Sequence, residues 1–318
     1  MEIPKDQLST HTDFRFALYR ILKHVLIIFI IGFVLKFVFF DSYVIDSRQM
    51  EPTVLQGDRV LLSKLHYSSI LKKILSPKYT DPVIFNHPHK ENIKGCLRIA
   101  GKPGDLINIE NGQLYLVNHP HVTFHFKKSK GEILPYEFSP RDNMLRYYIP
   151  QKNEIITLDT LNIKALIFLY SIIVQENRDE NYTLHPKLYL NDSLNNNYYI
   201  KDFSLFTGKF SDISDSLNIQ WFFWDRLLAY LISTVDNKKV DLKFSITGGN
   251  KNIKHYTVNN DFYFLISDNW ENGFDSRYFG PVMKELIEGK IIAVLWSFDH
   301  QKSEGISFRG RRIARIIQ

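Results

Sequence analysis

The sequence predicts an all-β protein with an inserted second domain, held behind one N-terminal membrane helix. Three observations carry this. An unbroken apolar run spans Leu22 to Phe40, short strand-like runs follow from Asp41 onward, and the composition shifts between about 119 and 259. The division is 1–21 for a cytoplasmic N-terminus, 22–40 for the anchor, 41–118 with 260–318 for the β core, and 119–259 for the insertion.

The run LKHVLIIFIIGFVLKFVFF has the length a helix needs to cross a hydrocarbon core. Lys36 lies near its far end, where a long side chain can snorkel to the interface. A signal peptide would have a shorter apolar region and a small-residue cleavage site. Here the exit reads Phe39-Phe40-Asp41-Ser42-Tyr43, so the run reads as an uncleaved anchor. Arg15, Arg20 and Lys23 predict an N-terminus inside the cytoplasmic membrane, with the C-terminal bulk outside and, in a two-membrane cell, periplasmic. Membrane lipid is then the first expected partner.

Beyond the anchor, Asp58–Ser63, Pro82–Phe85, Leu97–Ala100, Leu106–Ile109 and Gln113–Val117 read as strands, as do Phe262–Ile266, Ile291–Trp296 and Arg312–Ile317. Gly104-Asp105 and Asn111-Gly112 mark tight turns. The block 119–259 is rich in Asn, Asp and Lys, with helices expected near 159–175 and 221–235.

The chain has 318 residues, 44% hydrophobic and 14% aromatic, enough for a sizeable core. Its single cysteine, Cys96, excludes a disulfide framework and a CxxC metal site. The net charge of +6 is scattered in short blocks such as Arg309-Gly310-Arg311-Arg312, so no nucleic-acid partner is expected. His87/His89 and His119/His121 form H-x-H pairs without further nearby ligands, so no metal and no cofactor are expected.

Several motifs stand in order behind the anchor. They are Met50-Glu51-Pro52-Thr53 with Gly57-Asp58, then Thr80-Asp81-Pro82-Val83-Ile84-Phe85, then Arg98-Ile99-Ala100-Gly101-Lys102-Pro103-Gly104-Asp105. Ser267-Asp268-Asn269 and Asp275-Ser276-Arg277-Tyr278-Phe279-Gly280-Pro281-Val282 follow. Together they resemble the bacterial type I signal peptidases, the membrane-anchored Ser/Lys proteases that remove signal peptides. The flavour is that of the Bacteroidetes version with a large insertion. The resemblance implies an all-β signal-peptidase-like core carrying a second domain. It also implies a serine nucleophile before the Met of M-x-P-T and a lysine base before the Arg that leads into the G-x-P-G-D turn. An oxyanion hole would come from the nucleophile's N–H and a serine hydroxyl two residues earlier.

Carried over by position, the nucleophile falls on Gln49 and the base on Leu97. A carboxamide has no ionisable hydroxyl or thiol, and leucine cannot take a proton. Ser47 falls on the oxyanion-hole position, and Met50 and Pro52 on the cleft. Arg98, Asp268, Asn269, Asp275, Ser276 and Arg277 are expected to brace the site, with Asp275 and Arg277 paired. The serine that partners the base in the family is Gly273 here, and the loop Asp268-Asn269-Trp270-Glu271-Asn272 departs from the usual Asp-Asn-Arg-Asp-Asn.

The resulting expectation is a family member of the export pathway without Ser/Lys activity. It would bind signal peptides of exported precursors or assist an active signal peptidase paralogue. Two alternatives stand beside it. One is an active peptidase relocated to Ser47, with Lys94 brought round by a bulge near Gly95. The other is an interaction module working through the insertion.

Overall fold

The computed structural model describes residues 6–65, 77–124, 126, 133–134, 140–214, 220–235, 239–249, 251–299 and 305–317. Helix α1 runs unbroken from Asp6 to Phe39 and contains most of the expected anchor. Among the described residues no helix is long and apolar enough to cross a membrane. Three side chains inside the apolar run, at 34, 35 and 37, lie outside the described set.

The rest is mostly β. After α1 come β1 (Phe40–Val44), β2 (Asp58–Ser63), β3 (Pro82–Asn86) and β4 (Lys94–Gly101). Then β5 (Leu106–Glu110) and β6 (Gln113–Leu116) form a hairpin over Asn111-Gly112. Both turn residues take positive φ, 50° and 68°, as a two-residue hairpin loop requires. Strand β7 (Met144–Tyr148) pairs with β5 from the other side, so a piece of the 119–259 span is built into this sheet.

Through the middle of the chain run β8 (Ile155–Thr157), α2 (Ile163–Glu176), β9 (Tyr182–Leu190) and β10 (Ser193–Leu194). They are followed by β11 (Tyr199–Phe203), β12 (Phe206–Lys209), α3 (Trp221–Thr234), β13 (Val240–Gly248), β14 (Lys251–Ile253) and β15 (His255–Thr257). The two helices fall where the sequence predicts them. Asn162 starts α2 by accepting from the Ala165 N–H at 2.9 Å, which satisfies one of the helix's orphan donors.

The chain then returns with β16 (Phe262–Ile266), α4 (Ser276–Phe279), β17 (Val282–Met283), β18 (Ile287–Asp299), β19 (Ser307–Phe308) and β20 (Arg315–Ile316). The main antiparallel sheet has the order β1-β2-β18-β3-β4-β16-β17, with β19 and β20 also on β18. The two halves of the core interleave, because β18 inserts between β2 and β3. Irregular register at Ile287/Gly289, Ile291/Ala293 and Val294/Trp296 lets this strand bend. Gly289 is required at the bend: a Cβ there would lie 2.8 Å from the Ser63 carbonyl oxygen. The strand expected over 312–317 shrinks to β20, because Arg312 closes a 3-10 turn and Ala314 takes φ 54°.

Among the described residues, three apolar clusters fill the interior. One holds Ile45, Met50, Val54, Val60, Leu62, Ile84 and Cys96 beneath the 47–54 loop. A second holds Val83, Phe85, Leu97, Ile99, Leu265 and Phe279. The largest joins framework residues such as Ile107, Phe262 and Phe264 to Phe168, Trp221, Trp224 and Leu231 of α2 and α3. The middle block therefore packs on the framework through shared core. Burying one such side chain stabilises by about 1.5–3 kcal/mol.

Candidate active site and its substituted positions

The 47–50 loop leaves the sheet after Ile45, whose N–H donates to Asp58 O at 2.9 Å. Gln49 is half-buried in a turn. Its carbonyl accepts from the Asn269 N–H at 2.9 Å, and Asn269 Nδ2 donates to Arg48 O at 3.2 Å. Asn269 thus holds the loop by its backbone and leaves the Gln49 side chain out of the fastening. Met50 is fully buried in the first cluster, as a core methionine. Pro52, after a cis peptide, is exposed.

Arg98 and Asp268 form the first brace. Arg98 Nε and Nη2 reach the two oxygens of Asp268 at 2.7 and 2.6 Å, with side chains only 11% and 3% exposed. The Thr53 hydroxyl donates to the same carboxylate, and Arg98 Nη1 donates to Thr80 O. A planar guanidinium suits this two-point grip.

Asp275 and Arg277 form the second brace, entirely buried, with Nε–Oδ1 and Nη2–Oδ2 both at 2.8 Å. Asp275 also accepts from the Ser267 N–H at 3.0 Å, and Ser276 Oγ accepts from the Leu265 N–H at 2.9 Å. The remaining Arg277 donors go to Arg141 O and Trp270 O, each at 2.8 Å, and its guanidinium lies 4.2 Å over the Trp270 ring. No buried side-chain nitrogen or oxygen of Asp275, Ser276 or Arg277 lacks a partner, which is what makes a buried ion pair tolerable.

The sequence does not reveal who holds the altered loop. Trp270 Nε1 donates to Asp142 Oδ1 at 2.8 Å, and Trp221 Nε1 of α3 donates to Arg277 O at 2.9 Å. The middle block therefore holds the loop at Trp270 and the following turn at Arg277, through Trp221 and Arg141. Asp58, which reads from sequence as a turn residue, is fully buried and gripped by Arg312 Nε and Nη2 at 2.9 and 2.5 Å. Arg312 Nη2 also donates to Thr53 O at 3.1 Å. No local signal announces these partners.

Leu97 is 0% exposed on β4 opposite Val83, inside the second cluster. Its neighbours Cys96 and Arg98 face the Met50–Thr53 loop instead. Leu97 and Met50 thus lie in different apolar clusters. At Gly273 a Cβ would lie 1.6 Å from Ser267 Oγ, so the space for a serine side chain there is already taken.

Among the described residues the Ser47 hydroxyl has no hydrogen bond to a lysine. Lys94 points to the Tyr43 side of β4, but its amine is held by both oxygens of Glu288 at 2.7 and 2.8 Å. Lys102 lies 4.1 Å over the Tyr79 ring. Cys96 is no replacement nucleophile either, because burial pushes its thiol up, with Asp268 adding to the effect. Among the described residues no three His, Cys, Asp or Glu side chains gather as a metal site.

Comparison with known proteins supplies a context for this geometry. A family model described as "Signal peptidase, peptidase S26" matches residues 18–296. The chain is 26% identical over 303 residues to "Signal peptidase I" of Buchnera aphidicola subsp. Acyrthosiphon pisum, covering 91% of this chain and 78% of that protein. It is 23% identical over 278 residues to "Signal peptidase I" of Aquifex aeolicus, covering 87% and 84%. With the "Signal peptidase I" of Bacillus amyloliquefaciens it shares 28% identity over 149 residues, 44% of this chain and 75% of that one. Taken with the ordered motifs and the two braces around the 47–50 loop, the match over most of its length places this chain in the S26 signal peptidase family.

Proposed function

We propose that this protein is an export-pathway member of the family that recognises an extended precursor segment without cutting it. The reading rests on chemistry. Carried over by position from the family motifs, the nucleophile's place falls on Gln49 and the base's on Leu97, which lies within an apolar cluster. Neither side chain can supply or accept the proton that Ser/Lys hydrolysis moves.

What remains is a framework for binding. β1 lies at the edge of the main sheet and pairs on one side with β2. An extended peptide adds to such an edge through main-chain hydrogen bonds. The 47–50 loop beside it is held by Asn269 and by the Arg98–Asp268 brace. Exposed apolar side chains on α1, among them Ile28 and Phe29 at 68%, support the reading of α1 as a membrane anchor. Membrane lipid, signal peptides and an active paralogue are the partners this reading implies.

The test is cleavage and binding of a membrane-bound precursor by the purified full-length protein in detergent, beside an active signal peptidase and a Ser47→Ala control. Binding without cleavage is expected. Cleavage abolished by Ser47→Ala would overturn the reading in favour of a relocated site.

A further inference from the structure

Away from the 47–50 loop, a cavity of about 630 Å³ gathers charge from four elements. Asn108 and Glu110 come from β5, Arg146 from β7, Lys164 from the first turn of α2 and Asp225 from α3. Two acids and two bases thus share one space of a size typical for small-molecule sites.

Lys164 is 6% exposed, donates to Leu145 O and lies 5.4 Å from the Trp221 ring. An ammonium has three donors, and the Leu145 carbonyl occupies one. Asp225, lining the same cavity, makes no hydrogen bond or ion pair among the described residues. Burial holds the Lys164 amine down at about 8 and lifts the Asp225 carboxyl to about 6, each effect opposed by the other group's charge. The two groups therefore sense each other without touching.

Asn108 forms part of the cavity wall. Its Nδ2 donates to the Tyr115 hydroxyl at 2.5 Å, and that hydroxyl donates to Glu110 Oε2 at 2.7 Å. This chain fixes the orientation of the amide. Its Oδ1 is left buried and unpartnered on a residue only 7% exposed. That oxygen is sealed from the cavity as it is from solvent, so it offers a ligand no contact.

We propose that this cavity binds a small zwitterion, a free amino acid or short peptide with both termini unblocked. Its carboxylate would face Lys164, Arg146 and the N-terminal end of α2, where helix amides favour negative charge. Its ammonium would face Asp225 and Glu110. A simple anion would meet Glu110 and Asp225 unpaired, and a simple cation would meet Lys164 and Arg146 unpaired. The inference does not rest on the precursor-binding reading.

Isothermal titration of the full-length protein in detergent tests it, with alanine, the dipeptide Ala-Ala, and alanine blocked as its N-acetyl amide. Saturable binding of alanine or Ala-Ala, with none of the blocked compound, is the expected result, and the two arms decide the ligand's length. Arg146→Gln, at an exposed rim position, should weaken that binding by about tenfold, and Asp225→Asn by a similar factor. Binding of the blocked compound as tight as that of the zwitterions would overturn the proposal. So would no binding of either zwitterion, which would mean a water-filled cavity, or affinities unchanged in both variants.

Discussion

Ser267 occupies the volume that a side chain at Gly273 would need. A Cβ built on Gly273 would lie 1.6 Å from Ser267 Oγ and 2.4 Å from Ser267 Cβ. The Ser267 hydroxyl is itself committed, donating to Asn269 O at 3.0 Å in the loop that holds Gln49. The two positions therefore exclude each other. Gly273→Ser should destabilise the protein by about 1–3 kcal/mol, the usual cost of overpacking a filled site. Adding Ser267→Gly should restore most of that loss. Urea unfolding of the two single variants and the double variant measures the coupling, and additive effects would show that the two sites do not compete.

The Arg98–Asp268 brace predicts an asymmetric response. Arg98→Leu leaves the Asp268 carboxylate, 3% exposed, with only the Thr53 hydroxyl for company. Breaking a buried pair from one side costs about 3–5 kcal/mol. Replacing both partners together, Arg98→Leu with Asp268→Leu, should cost less than Arg98→Leu alone. Equilibrium unfolding of both variants decides, and equal losses would mean that the brace contributes no more than its packing.

Placing a serine at Gln49 or a lysine at Leu97, one residue at a time, should not produce hydrolysis. Gln49→Ser supplies a hydroxyl, but Lys94 is tied to Glu288 and Leu97 takes no proton. No product is expected in a precursor-cleavage assay. Leu97→Lys places an amine among Val83, Phe85 and Leu265, where desolvation favours the neutral form. The folded-state pKa would fall below the unfolded value of about 10.4. The unfolded state then holds the extra proton, so stability should rise with pH through that interval and be lowest below it. Stability that falls with pH in this variant, relative to the parent, would show that the new amine is solvated.

Much of this site was legible because its parts are neighbours in sequence. The positions read as substituted, Gln49 before Met50 and Leu97 before Arg98, sit beside the quoted motifs. The hairpin at Asn111-Gly112 follows from residues that accept positive φ. Partners far apart in the chain were not legible. Asp142 has no local signature as the residue that holds Trp270, Arg312 none as the partner of Asp58, and Glu288 none as the captor of Lys94. A side chain's need for a partner is local, but which partner answers is decided by strand order and packing. The middle block is the clearest example. Its polar composition suggested a separate unit, yet β7 joins the β5–β6 hairpin and α2 and α3 share core with Phe262 and Phe264.

His87 gives the fold a defined sensitivity to acid. Its Nδ1 accepts from the His89 N–H at 3.1 Å, its ring lies 5.2 Å from that of Phe279, and its Nε2 is buried without a partner. Burial holds its pKa down at about 4, with the positive charges of His89 and Lys90 adding to the effect. In the unfolded chain the same ring titrates near 6.5. The neutral ring is therefore favoured by folding, and the unfolded state binds the extra proton as pH falls. Stability should be complete above about 6.5 and decline as pH drops toward about 4, by about 1–2 kcal/mol once partial solvent contact is discounted. His87→Asn keeps an acceptor for the His89 N–H and removes the titration. Urea midpoints across this range should therefore fall less steeply in the variant than in the parent. Parallel curves would assign the acid sensitivity to other groups, with His89 the next candidate, since burial lowers its pKa as well.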